Sequence, residues 1–118
     1  MNNIMRKDCT AMYAIIRRIK VQPQLLEELV RRTEQAFVPL LRDEPGFVEF
    51  TVAQVGQDEG LSISIFETKE AAEEGNRKAF EWAKEQLFPL AQGPAEVVGF
   101  GQILIHHKKQ LEEARNSS

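Results

Sequence analysis

The chain has a single cysteine, Cys9, among 118 residues, so it forms no internal disulfide and no paired-thiolate metal site. Cys9 is read as a bystander thiol. Long apolar runs are also missing. The longest, Ala11 to Ile16, falls far short of the roughly 20 residues of a membrane-spanning helix. The opening MNNIMRKDCT lacks the apolar stretch of a signal peptide, so a cytoplasmic location is expected. Neither sign of charge dominates: the formal net charge is -3, with Lys and Arg scattered among Asp and Glu. That leaves no basic field for nucleic acid or an anionic membrane surface, and neither partner is expected. Internal repeats and low-complexity segments are absent, as are a Ser-His-Asp arrangement, a phosphate-cradling glycine loop and zinc-ligand spacing. Gly99 and Gly101 lack the strand-to-helix setting of a dinucleotide fingerprint. Hydrolase and nucleotide-binding readings fall away, and no metal site is expected.

What is present is the balance of an ordinary globular domain, 42% hydrophobic and 28% charged, in a chain long enough for one core. MYAIIRRIK (12–20) reads as a first strand. From Pro23, a residue suited to a first helical turn, Leu25, Leu26, Leu29, Val30, Thr33, Phe37, Leu40 and Leu41 recur at helical steps, predicting one long amphipathic helix. FVEFTVAQV (47–55) and LSISIF (61–66) flank GQDEG and predict a hairpin. Thr68 is the expected cap of a second helix running from Lys69 to about Leu90. A last strand is expected over 96–107, with Gly99 and Gly101 marking a bend or close approach. The resulting order is β-α-β-β-α-β. It predicts an α+β, ferredoxin-like domain over 12–107, with a four-stranded antiparallel sheet, an N-terminal extension over 1–11 and a polar tail over 108–118.

Both alternating sets on the first two strands hold apolar residues: Tyr13, Ile15 and Ile19 against Met12, Ala14 and Ile16, then Phe47 and Val55 against Val48, Phe50 and Val52. A sheet with one wet face would alternate more cleanly. A second copy of the chain is therefore expected to cover the face opposite the helices, giving a homodimer.

The second helix poses its own question in EEGNRKAFEWAKEQL (73–87). Ala72, Asn76, Ala79, Ala83 and Leu90 fall on one narrow stripe, with Phe80 and Leu87 to one side and Gly75 and Trp82 to the other. Small residues on that stripe permit either a close helix-to-sheet approach or an apolar slot walled by Phe80 and Trp82 with Asn76 as its polar fixture. A third reading has Gly75-Asn76 break the helix and Asn76 cap a new segment. Arg17 and Arg18 point to opposite faces of their strand, so at most one meets such a slot, and the same holds for His106 and His107. Solvated or interface roles stay open for all four.

Together YAIIRRIKV, FVPLLRDEPGFVEF, SISIFET, AAEEGNRKAFEW and GPAEVVGFGQILIH resemble the antibiotic biosynthesis monooxygenase (ABM-like) family over about residues 12 to 107. The resemblance implies a dimeric α+β barrel, in which two ferredoxin-like sheets close face to face. It also implies oxygenation of a small aromatic or quinol with neither metal nor flavin, the deprotonated substrate itself reducing oxygen. Asn76, Trp82 and His106 are then the candidate catalytic residues, and Tyr13, Arg17 and Phe80 the candidate substrate contacts. Haem-degrading relatives carry an Asn on the first strand and a His deeper in the chain. This first strand has no Asn and the second helix no His, so haem breakdown is not expected. A non-catalytic homodimer that binds a small ligand or serves a stress response is the alternative, favoured by the want of an evident proton acceptor.

Overall fold

The computed structural model describes residues 11–109; Cys9, the first ten residues and the tail from 110 lie outside the described residues. β1 (Tyr13–Lys20) leads into α1 (Pro23–Arg32), a π-helical turn (Thr33–Phe37) and α2 (Val38–Arg42). β2 (Phe47–Gln54) and β3 (Glu59–Phe66) come next as a hairpin, then α3 (Lys69–Gln86), a 3-10 turn (Phe88–Leu90) and β4 (Glu96–Gln102). The strands form one antiparallel sheet in the order β2-β3-β1-β4, the ferredoxin-like arrangement, with the helices on one face. None of the helices among the described residues is long and apolar enough to cross a membrane.

The first helical segment is not the single α-helix that its periodicity predicts. Pro39 has no N–H and its ring crowds the carbonyl four residues back, that of Gln35, so the turn before it widens. The Val38 N–H reaches back to the Thr33 carbonyl, and the Thr33 hydroxyl donates to the Leu29 carbonyl at 2.8 Å. The widening keeps the core face in line. Leu29, Thr33, Phe37 and Leu41 are all buried at steps of four, which in an unbroken α-helix would drift by about 40° per step.

In α3 the Thr68 hydroxyl oxygen accepts the Ala71 N–H at 3.0 Å, the expected cap, and the helix continues through Gly75-Asn76 without a break. Gly75 is where helix and sheet come closest: a Cβ there would lie 2.3 Å from Cζ of the fully buried Phe66. The helix stops at Gln86, so Leu90 belongs to the 3-10 turn and not to the α3 stripe.

β4 ends at Gln102 rather than His107. It is an edge strand paired only with β1, and its ladder ends where Gln102 meets Tyr13, the first residue of β1. Past it the Ile103 N–H still donates to the Met12 carbonyl at 2.8 Å, but residues 104–109 have no strand partner among the described residues, and Leu104 and Ile105 are more than 80% exposed. Opposite Arg17 the β1–β4 register slips between Gly99 and Val97, a bulge beside the expected glycine bend.

The core divides into two clusters. One gathers Ile15, Phe37, Leu41, Phe66, Ala72 and Ala79; the other gathers Val21, Leu29, Ala83 and Leu87, with Trp82 packed against both.

Candidate functional site

Between the helix layer and the sheet, bordered by members of both core clusters, lies a cavity of about 450 Å³, within the range of small-molecule sites. α3 contributes Asn76, Ala79, Phe80, Ala83 and Leu87, a spacing that puts one side of the helix against the space. Leu29, Val30, Thr33, Glu34, Phe37 and Val38 form the opposite wall, so the π-helical turn supplies part of it. The sheet closes it with Arg17 and Ile19 of β1, Phe50 and Val52 of β2, Ser62 of β3 and Val97 of β4. Phe80 and Val30 are over 40% exposed and stand where the cavity meets solvent.

Its polar end is built on Arg17. β-strand alternation sends Arg17 toward the helices and Arg18 to the other face. Arg18 pairs there with Glu59 at 3.2 Å and Glu96 at 3.0 Å. The Arg17 guanidinium donates from Nε to Asn76 Oδ1 at 3.1 Å, from Nη2 to the same oxygen, and from Nη1 to Ser64 Oγ over a long 3.4 Å. No carboxylate among the described residues lies within ion-pair distance of it. Burial without a counter-charge lowers the Arg17 pKa from its usual value to about 10. Because a guanidinium only donates, these contacts also fix the Asn76 amide, with Oδ1 toward Arg17 and Nδ2 as the remaining donor.

The structure thus brings Arg17, Asn76 and Phe80 together at the cavity. Trp82 does not line it: the indole stacks on Phe37 with ring centroids 4.9 Å apart and backs that wall from behind. It lies six residues beyond Asn76, where helical geometry turns it well off the cavity side. Tyr13 packs against the first core cluster and edge-on to Phe100 at 6.0 Å, also outside the lining. His106 lies beyond the end of β4, its Nε2 3.7 Å from Glu49 Oε1, with Lys108 Nζ 3.3 Å from the same oxygen. Since Phe50 lines the cavity, its strand neighbour Glu49 points to the opposite face of the sheet, and His106 with it.

The family model for antibiotic biosynthesis monooxygenase matches residues 12–81. The chain belongs to that family. Solved structures of similar fold include a monooxygenase from the ActVA-Orf6 gene of Streptomyces coelicolor in complex with nanaomycin D (TM-score 0.66, 18% identity, covering 86% of this chain and 94% of that one). Another is SnoaB, a cofactor-independent oxygenase from Streptomyces nogalater (TM-score 0.58, 16% identity, 83% and 96%). A Nitrosomonas europaea protein of unknown function is similar too (TM-score 0.68, 12% identity, 86% and 97%). No curated protein matches the chain.

In this family member several wall residues carry no sequence signal of their role. Phe37, Phe50 and Val52 read as ordinary core. Ser62 and Ser64, by contrast, carry one in SISIF: a small hydroxyl at every second position on the helix-facing side of an inner strand is polar where apolar residues are the norm. Among the described residues no group of three or more His, Cys, Asp or Glu is placed to hold a metal ion.

Proposed function

We propose that the chain is a cofactor-independent monooxygenase of a small aromatic or quinol substrate, bound between α3 and the sheet. The observation that carries this reading is the 450 Å³ cavity itself, with walls mostly of aliphatic and aromatic side chains and one polar end made by Arg17 and Asn76. Apolar walls exclude water from the substrate ring, and the polar end supplies hydrogen-bond donors where negative charge develops as the substrate loses its proton. For an anthrone-like CH2 the step balances without a further reductant. The carbanion gives its electrons to O2, one oxygen atom becomes the product carbonyl, and the other leaves as water with the two hydrogens. Phe80 forms one lip of the entrance, and Trp82 acts through the wall, holding Phe37 in place. Neither Tyr13 nor His106 has a role in this reading.

Oxygen consumption by the metal-stripped protein across hydroquinones, naphthols and anthrones tests it. Uptake with at least one of these is expected, falling by on the order of 100-fold in Asn76→Ala, the scale for losing one preorganised donor. Trp82→Phe keeps an aromatic stack on Phe37 and stays within a few-fold of wild type. A second reading, a non-catalytic small-ligand-binding protein, draws on one feature: among the described residues Glu34 is the only carboxylate in the lining, it is exposed, and no His joins it. Absence of uptake with every compound would favour that reading.

In either case we propose a homodimer in which a second copy covers the sheet face opposite the helices. Val55, about half exposed on that face, and the nearly bare Leu104 and Ile105 support it.

A further inference from the structure

We infer that the cavity takes its ligand as an anion, an acidic aromatic whose negatively charged oxygen sits against Arg17, with Asn76 positioning the guanidinium instead of meeting the proton that leaves the substrate. The inference rests on the proposed aromatic-binding cavity and adds the charge of its occupant.

Hydrogen bonding and charge are out of balance at Arg17. A guanidinium carries five N–H donors, of which three are engaged, two by Asn76 Oδ1 and one by Ser64 Oγ. One donor is left on each of Nη1 and Nη2, free to meet an anion. All three engaged donors go to neutral partners, so hydrogen bonding is largely met while the charge is not. A partly buried cation with no carboxylate in range is costly. Glu34, the one other titratable group in the lining, stands exposed and outside ion-pair distance of Arg17. Arg18, one residue on, has two carboxylate partners at the surface, where the need is smaller.

The remaining groups at this end sharpen the selection. The Asn76 oxygen is occupied by Arg17, leaving Nδ2 as a donor. The Thr33 hydroxyl gives its proton to the Leu29 carbonyl and keeps only acceptor capacity. Apart from the hydroxyl oxygens of Ser62 and Thr33, the free side-chain polar atoms of Arg17 and Asn76 are donors. Donors and a bare positive charge fit an acceptor carrying negative charge. They fit a neutral hydroxyl, which has its own proton to place, poorly. The walls beyond are apolar, so the ligand is charged at one end and a flat hydrocarbon elsewhere.

Titration calorimetry at pH 7 with four probes tests this on the full-length protein: 2-naphthoate, its neutral isostere 2-naphthamide, 2,4-dinitro-1-naphthol as a ready phenolate, and neutral 1-naphthol. Each anion is expected to bind at least about tenfold more tightly than its neutral counterpart, the scale of one hydrogen bond to a charged group. A preference confined to naphthoate assigns the subsite to carboxylates, and one confined to the dinitronaphthol assigns it to phenolates; both support an anion site. In Arg17→Gln, which can still donate to Asn76, the preference is expected to shrink to within about twofold while naphthamide binding is retained. Equal affinities within both pairs in the wild type, or no saturable binding of any probe, would overturn the inference without recourse to a variant. So would an undiminished preference in folded Arg17→Gln. Binding is read without oxygen. Anion preference with no oxygen uptake on any substrate therefore removes the oxygenase reading and keeps this one, whereas turnover of neutral quinols with no anion preference does the reverse.

Discussion

Arg17 holds its charge against the preference of its surroundings. With a native pKa near 10, below the free value, it binds its proton less tightly folded than unfolded. Stability therefore rises as pH climbs from about 10 toward the free guanidinium's higher value, and below 10 the whole penalty is in force. Arg17→Gln is accordingly expected to melt at or above the wild-type temperature at pH 7 while losing anion preference; a fall of more than about 5 °C would show the guanidinium to be a net stabiliser. Gly75 presents the opposite case, a residue chosen for what it lacks. Gly75→Ala drives a methyl into the Phe66 ring, and the overpacking of about 1–3 kcal/mol is expected to outweigh the roughly 1 kcal/mol gained in helix propensity. Thermal melts should show a drop that Phe66→Leu partly restores. At this scale the sequence is legible where periodicity fixes direction: Asn76 and Phe80 sit on the cavity side of their helix. It is not legible where direction depends on a neighbouring strand. Only the packed sheet separates Arg17 from Arg18 and carries His106 to the far face.

Among the elements, α3 is readable almost to its ends, since Thr68 caps it and its small-residue stripe has one phase. Thr68→Ala removes the acceptor for the Ala71 N–H and should lower stability by about 1 kcal/mol, measurable as a shift in the urea midpoint with an unchanged slope. The close approach falls at Gly75, beside that stripe, while Asn76, Ala79 and Ala83 of the stripe line an open slot walled by Phe80 but not by Trp82. The segment from α1 to α2 reads as one continuous helix because apolar spacings of three and four are blind to a widened turn, while the cause, Pro39, lies beyond it. β4 reads too long for another reason. ILIHH has strand composition, but a strand is made by its partner, and among the described residues only the Met12 carbonyl meets it before Tyr13, at Ile103.

For the whole molecule, the fold is recognisable from sequence because two helices and four alternating strands leave few ways to connect them. The second sheet face bears on the proposed homodimer. Val55→Asp with Ala53→Asp puts charge on that face away from the cavity, and sedimentation velocity is expected to move the protein from dimer to monomer with its helical circular dichroism unchanged. A wild-type monomer at tens of micromolar would refute the dimer. The π-helical turn, finally, bears on how such a cavity is inherited. A widened turn is a helix holding one residue more than its hydrogen bonds require. An in-frame deletion of one codon among residues 34–36 would let the turn relax to α geometry; from Leu29 to Leu41 the remaining eleven α-helical steps fall within about 20° of whole turns, so the flanking core faces stay in phase. Point mutation can only trim the side chains of this wall, one at a time. A single lost codon removes a whole position from the wall without turning the helices on either side, so related chains with differently shaped cavities are to be sought among those differing in length here.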